Sequence, residues 1–165
     1  THCISSAASD VYKRQYPESV NTMRIVTYVD PHNDIHVLAR VLKIGNGGNI
    51  DNYSGGGMYT MLDEQGHALH AAYDGDGTVY EVHPATHVRF ADFQVPMFDE
   101  VIEFAKKLAV RVPEMPYIGW DIALTPNGPV VIEGNHNTGV FQTRPAVTGT
   151  KEGLLPAYQR AMKFK

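Results

Sequence analysis

Apolar and polar residues follow a strand-like rhythm through the first half of the chain, and the rhythm lengthens once, near residue 96. "NTMRIVTYVD" (Asn21 to Asp30) is rich in β-branched and aromatic residues and closes on Pro31, which predicts a strand. "IHVLARVLKIG" predicts a second strand, bounded by Gly45, and the short "PHND" between them predicts a hairpin. The stretch "MYTMLDEQGHALHAAYDGDGTVYEVHP" breaks into short strands at Gln65-Gly66 and "DGDG", as a β-meander does. Within "PMFDEVIEFAKKLAVRVPEMP" the period becomes helical. Phe98, Val101, Ile102, Ala105, Leu108 and Ala109 share one face, Asp99 and Glu100 lie in the first turn, and Lys106, Lys107 and Arg111 fill the end. Pro113 stops the helix. A last helix is expected over about 151–164, with Leu155, Tyr158, Ala161 and Met162 on one side. Strands, helix, hairpin and helix in that order predict an α+β fold with a largely antiparallel sheet and flanking helices.

Between the two helices runs "GWDIALTPNGPVVIEGNHNTG", where Asp121 and Glu133 sit in stretches that otherwise look buried. A turn centred on Asn127 places Thr125 opposite Pro129 and Asp121 opposite Glu133. Alternation then puts Ile118, Trp120, Ile122, Leu124, Val130 and Ile132 on a core face. Asp121, Glu133 and Asn135 share the other. Like charges directly opposed across a strand pair are unfavourable, so they need compensation. A hard cation such as Mg²⁺, taking two carboxylates and an amide oxygen with positions left for substrate phosphates, is one solution. Two solvated acids on an open sheet face are the other.

Composition narrows the function classes. The 165 residues are 43% hydrophobic, enough for a core, with a formal net charge of -4. An acidic chain has no electrostatic reason to seek a nucleic-acid backbone. No apolar run approaches the roughly 20 residues of a membrane span. One cysteine, Cys3, allows no internal disulfide, and a cytoplasmic location is the default expectation. The eight histidines do not assemble a zinc motif, because the spacings of His67/His70 and His83/His87 fall in strands or around Pro84. "DGDG" lacks the ligands of a calcium loop and is expected to be a hairpin turn.

The acidic hairpin resembles the closing motif of the ATP-grasp superfamily: an Asp, a hairpin, then Glu-x-Asn at the end of the next strand. With "SVNTMRIVTYVD", the loop "NIDNYSGGG", "HPATH" and "QVP" before the helix, the chain from Tyr16 to Lys165 resembles the sugar-transfer-associated branch, related to the α-L-glutamate ligases. The resemblance implies an ATP-grasp C-terminal subdomain of an ATP-dependent ligase. In such an enzyme a carboxylate takes the γ-phosphoryl group of ATP, and an amine or thiol then displaces phosphate from the acyl-phosphate. It implies ATP and Mg²⁺ as cofactors, with Asp121, Glu133 and Asn135 as metal ligands. The substrates would be small or saccharide-linked carboxylates and amines. A non-catalytic, cation-dependent saccharide-binding β domain is the competing expectation.

Further candidates are basic, glycine-rich or next to the motif. Arg24, alone in an apolar strand, would clamp a phosphate or carboxylate and is the catalytic candidate. Arg40 and Lys43 are nucleotide-binding candidates, but alternation puts them on opposite faces, so at most one reaches the site. Asn52, Gly55 and Gly56 match the family's glycine-rich loop, whose backbone N–H groups would meet phosphates. His83, His136, Asn137 and Arg144 are substrate-side candidates. Many ATP-grasp ligases carry an Arg shortly before the first metal Asp, where this chain has "YIGW" with Gly119, so Arg24 or Arg144 would have to stand in for it.

The first residues follow no pattern. "SSAASDVYKRQ" (Ser5 to Gln15) reads as a translated transposase adapter used in shotgun sequencing. Residues 1–15 are therefore expected to be a disordered, non-biological tail. On that reading residues 16–165 are the C-terminal part of an ATP-grasp domain whose N-terminal part, with the adenine pocket, lies upstream, and this portion alone would be inactive.

Overall fold

The computed structural model describes residues 21–46, 56–139, 141 and 143–163. The expectations for residues 1–15, Asn52 and Gly55 lie outside them. The fold is α+β. Strands β1 (Thr22–Val29), β2 (Ile35–Ile44), β3 (Met58–Met61), β4 (Ala72–Asp74) and β5 (Val79–Tyr80) come first, then helix α1 (Phe98–Ala109). Strands β6 (Tyr117–Thr125) and β7 (Gly128–Asn135) follow, with the short helix α2 (Pro145–Thr148) and helix α3 (Leu155–Met162). They build one seven-stranded sheet in the order β5-β4-β3-β2-β1-β6-β7, with neighbouring strands antiparallel throughout.

Local chemistry fixes the hairpins. In the β1–β2 turn the Asp30 carboxylate accepts the backbone N–H groups of His32 and Asp34 at 2.8 and 2.9 Å. Asn33 takes the left-handed conformation the turn requires, at φ 65°. "DGDG" is a hairpin turn, as expected. Asp74 accepts from the Thr78 N–H and the Tyr80 hydroxyl, and Gly77 supplies φ 91°.

The two sheet faces differ in kind. One carries a continuous core of Met23, Ile25, Leu42, Ile44, Trp120 and Ile122 under Phe98, Val101 and Ala105 of α1. Fully burying each such side chain is worth about 1.5–3 kcal/mol. The other face carries two smaller clusters. Val26, Leu38 and Ala39 pack on Ala161, and Val41, Tyr59, Met61 and Tyr73 pack with Phe141, Val147 and Leu154. Consecutive residues Leu38 and Ala39 share that cluster because the β1–β2 register shifts between Val26 and Thr27, leaving Leu38 as an extra residue.

Three expectations need correction. The β6–β7 turn pairs Thr125 with Gly128, not with Pro129, and Gly128 takes φ 111°. A bulge between Asp121 and Ile122 skips Ile132 and recovers the slip, so Asp121 does pair with Glu133. Val130 and Ile132 are exposed rather than core: the turn register pairs Val130 with Ala123, Ile132 is the unpaired bulge residue, and β7 is the edge strand. The last helix is shorter than expected, and Leu155 is exposed. Leu154 packs on the sheet in its place, with Tyr158, Ala161 and Met162.

Candidate functional site

Glu133 of β7, Asp121 of β6, Arg24 of β1 and Lys43 of β2 lie on the face away from α1. Asp121 pairs with Glu133 on one side and with Arg24 on the other, while Lys43 pairs with Thr22 one strand further on. The Arg24 guanidinium grips the Asp121 carboxylate with two nitrogens: Nε donates to Oδ1, and Nη2 donates to Oδ2 at 2.7 Å. Lys43 Nζ donates to the same Oδ2 at 3.0 Å. Arg24 Nη2 lies 3.6 Å from Glu133 Oε1. Two cations and two carboxylates thus balance within one patch. The like-charge pairing of Asp121 and Glu133 is compensated by side chains of the protein itself.

Asp121 is nearly inaccessible, with 3% of its surface exposed. Burial alone would raise its carboxyl pKa. The hydrogen bonds from Arg24 and the charges of Lys43 and Arg24 outweigh burial and hold it below the ordinary value. Asp121 is the counter-ion of Arg24 and Lys43, and it would reach a metal only by exchanging one of them. Glu133 differs: its side chain is 57% exposed. Asn135 Nδ2 donates to Glu133 Oε1 at 2.8 Å, so Glu133 Oε2 and Asn135 Oδ1 carry no hydrogen bond among the described residues. Those two oxygens are the part of the expected donor set that fits a hard cation as the side chains stand.

Sequence reasoning missed Thr138. It is buried, and its hydroxyl accepts from Arg24 Nη1 at 3.0 Å, so all three guanidinium nitrogens are held. Gly119 makes this approach feasible. A Cβ there would stand 2.3 Å from Thr138 Oγ1 and 2.9 Å from Arg24 Cδ. The glycine that marked a departure from the family pattern is the space that Arg24 and Thr138 occupy. A glycine inside a strand is the signal that points to such a close approach.

The other candidates go elsewhere. Arg40 pairs with Ile25 and makes no contact with Asp121, so of the two β2 cations only Lys43 joins the site. His83 is fully buried. Its Nδ1 accepts the N–H groups of Ala85 and Thr86, so Nε2 carries the proton and donates to the Gly45 carbonyl at 3.0 Å. Asn21 Oδ1 accepts the Gly45 N–H at 3.1 Å. His83 therefore anchors the end of β2 and is buried, with both ring nitrogens hydrogen-bonded within the fold. His136 and Asn137 are exposed in the turn after β7. Arg144 lies over the Tyr73 ring at 5.2 Å, against the β4–β5 turn at Gly77. Gly56 is exposed before β3, at φ 90°.

Arg24 and Lys43 beside an acidic hairpin that ends in Glu-Gly-Asn form a charge pattern suited to phosphate and carboxylate groups. The family model for sugar-transfer associated ATP-grasp proteins matches residues 7–160. The chain belongs to this family. The match begins inside the 1–15 stretch and runs through the site to α3. No curated protein and no solved structure matches the chain significantly. Membership places the sugar-transfer associated ATP-grasp chain among ATP-dependent ligases and related enzymes, which act on a nucleotide and small-molecule substrates. Among the described residues no helix is long and apolar enough to cross a membrane.

Proposed function

We propose that this chain contributes the phosphate- and carboxylate-handling face of an ATP-dependent carboxylate–amine, or carboxylate–thiol, ligase acting in the cytoplasm on saccharide-linked substrates. The observation that carries the reading is the convergence of Arg24, Lys43, Asp121 and Glu133 on one sheet face, next to the open oxygens of Glu133 and Asn135.

The reaction has two displacements. A substrate carboxylate oxygen attacks the γ-phosphorus of ATP, the bond to the β-phosphate oxygen breaks, and ADP leaves. The amine nitrogen then attacks the acyl-phosphate carbon, the C–O bond breaks, and phosphate departs with the electron pair while the amine proton passes to solvent. Arg24 and Lys43 hold positive charge where the transferred phosphoryl oxygens and the substrate carboxylate accumulate negative charge. Asp121 and Thr138 fix the Arg24 guanidinium in place, so little reorganisation is needed when charge develops. Glu133 and Asn135 would hold Mg²⁺, with Asp121 joining only in exchange for a cation partner. Bound there, Mg²⁺ would neutralise phosphate charge.

The test is to incubate the full-length protein with Mg-ATP, a panel of sugar and amino-acid carboxylates, and hydroxylamine, and to measure ADP and hydroxamate. ADP and hydroxamate should appear together, and both should fall at least about a hundredfold in Arg24→Met and Glu133→Gln. Equal yields in wild type and both variants, or ADP without hydroxamate for every carboxylate, would overturn the proposal.

A further inference from the structure

A second concavity lies where β2 and β3 meet the 143–160 segment. It is a cleft of about 570 Å³ that shares no lining residue with Arg24, Lys43, Asp121, Glu133 or Asn135. Leu38, Leu62 and Leu154 line its apolar part, and Arg40, Glu64 and Glu152 bring charge to it. Arg40 is the anomaly. Its Nε is buried without a hydrogen-bond partner, and no carboxylate among the described residues lies within ion-pair distance. Its terminal nitrogens have no hydrogen-bond partner among the described residues either, and Arg40 lines the cleft. Burial lowers the Arg40 pKa, while Glu64 and Asp63 act on it only through space. A half-buried cation without a counter-ion costs stability, so a ligand is the natural source of its partner.

We propose that this cleft is a second ligand site, taking a carboxylate carried on a body that also bears N–H or O–H donors. The planar carboxylate matches the guanidinium fork of Arg40, and Arg160 adds a second cation to the lining. Glu64 and Glu152 disfavour a dianionic phosphate and accept hydrogens from an ammonium or hydroxyl group. Asp63 does not compete for the ligand, since its Oδ1 already accepts the Gln65 and His67 N–H groups at 2.8 Å. The single Thr148 hydroxyl hydrogen is shared between the Arg144 and Thr150 carbonyls, and its oxygen accepts the Thr150 N–H at 3.4 Å, so one lone pair is left for a ligand. The same lining holds a second orphan, His70 Nε2. Because His70 Nδ1 bonds the Ala71 carbonyl at 2.7 Å, Nε2 is the lone-pair nitrogen. The site stands independently of the ligase reading.

The test uses the full chain and four probes by NMR titration: glycine, glucuronate, acetate and inorganic phosphate. Glycine or glucuronate should bind saturably at about millimolar concentration, more tightly than acetate or phosphate. Arg40→Leu should weaken that binding about tenfold or more, and Glu133→Gln should leave it unchanged. Arg40→Leu should also melt at the same or a higher temperature, because it removes an uncompensated charge. The proposal is overturned by phosphate binding tighter than either carboxylate, by no saturable carboxylate binding, by binding indifferent to Arg40→Leu, or by Arg40→Leu melting clearly lower. The last result would make Arg40 a structural residue.

Discussion

Asp121 and Glu133 face each other across one strand pair, yet they play opposite parts. Asp121 neutralises two cations that are almost as buried as itself, whereas Glu133 stands mostly in water. Removing one member of a buried ion network leaves the others without compensation and costs about 3–5 kcal/mol. Asp121→Ala should therefore lose that much stability in urea unfolding. Glu133→Gln should stay within about 0.5 kcal/mol of wild type, as a surface change does. Equal losses in the two variants would remove the distinction. His83 gives a second test. Burial pushes its pKa below 6.5 in the folded chain, although the bond to the Gly45 carbonyl opposes the shift. The unfolded chain therefore binds the proton first as pH falls. The His83 contribution is complete above about pH 6.5 and declines below it until the folded value is passed. Wild type should lose stability from pH 6.5 downward more steeply than His83→Gln, measured by chemical denaturation across pH 7 to 5. Parallel curves would sink this assignment.

At the scale of elements, local pairings were legible and their irregularities were not. The turns "PHND", "DGDG" and Pro126-Asn127-Gly128 carry chemistry that marks them in sequence. The helical face of α1 holds from Phe98 to Ala109. Bulges leave no such mark. The one at Ile132 rescued the Asp121–Glu133 pairing from a turn placed one residue off, and the one at Leu38 put two adjacent residues into one cluster. The edge position of β7 was also hidden, because an edge strand and a central strand can share one apolar composition. A paired substitution tests this. Ile132→Lys should change stability by less than about 0.5 kcal/mol, since its side chain is exposed at the sheet edge. Ile122→Ala, in the core of the neighbouring strand, should cost about 2–5 kcal/mol. A comparable cost at both positions would mean that β7 is covered.

Across the whole molecule, the decisive contact is the pairing of β1 with β6, which joins Arg24 to Asp121 across 97 positions of sequence. Hairpin arithmetic finds Glu133 opposite Asp121 because a turn records its own register. Nothing local records which distant strand fills the space beside β6, so the hairpin alone cannot reveal that Arg24 and Lys43 lie against Asp121. One sheet face, packed under α1, supplies the continuous core, and the other can hold a buried charge network between its smaller clusters. This division constrains how a cation would bind. With Asp121 engaged, only Glu133 and Asn135 of the expected ligands offer free oxygens among the described residues, and so few ligands give weak affinity, roughly millimolar. Mg²⁺ at about a hundred times its dissociation constant should stabilise the fold by about 2.7 kcal/mol. The increase should vanish in Glu133→Gln and Asn135→Ala and persist in Arg40→Leu, read as the Mg²⁺-dependent rise in melting temperature. A rise that survives in both β7 variants would mean that the cation is held elsewhere.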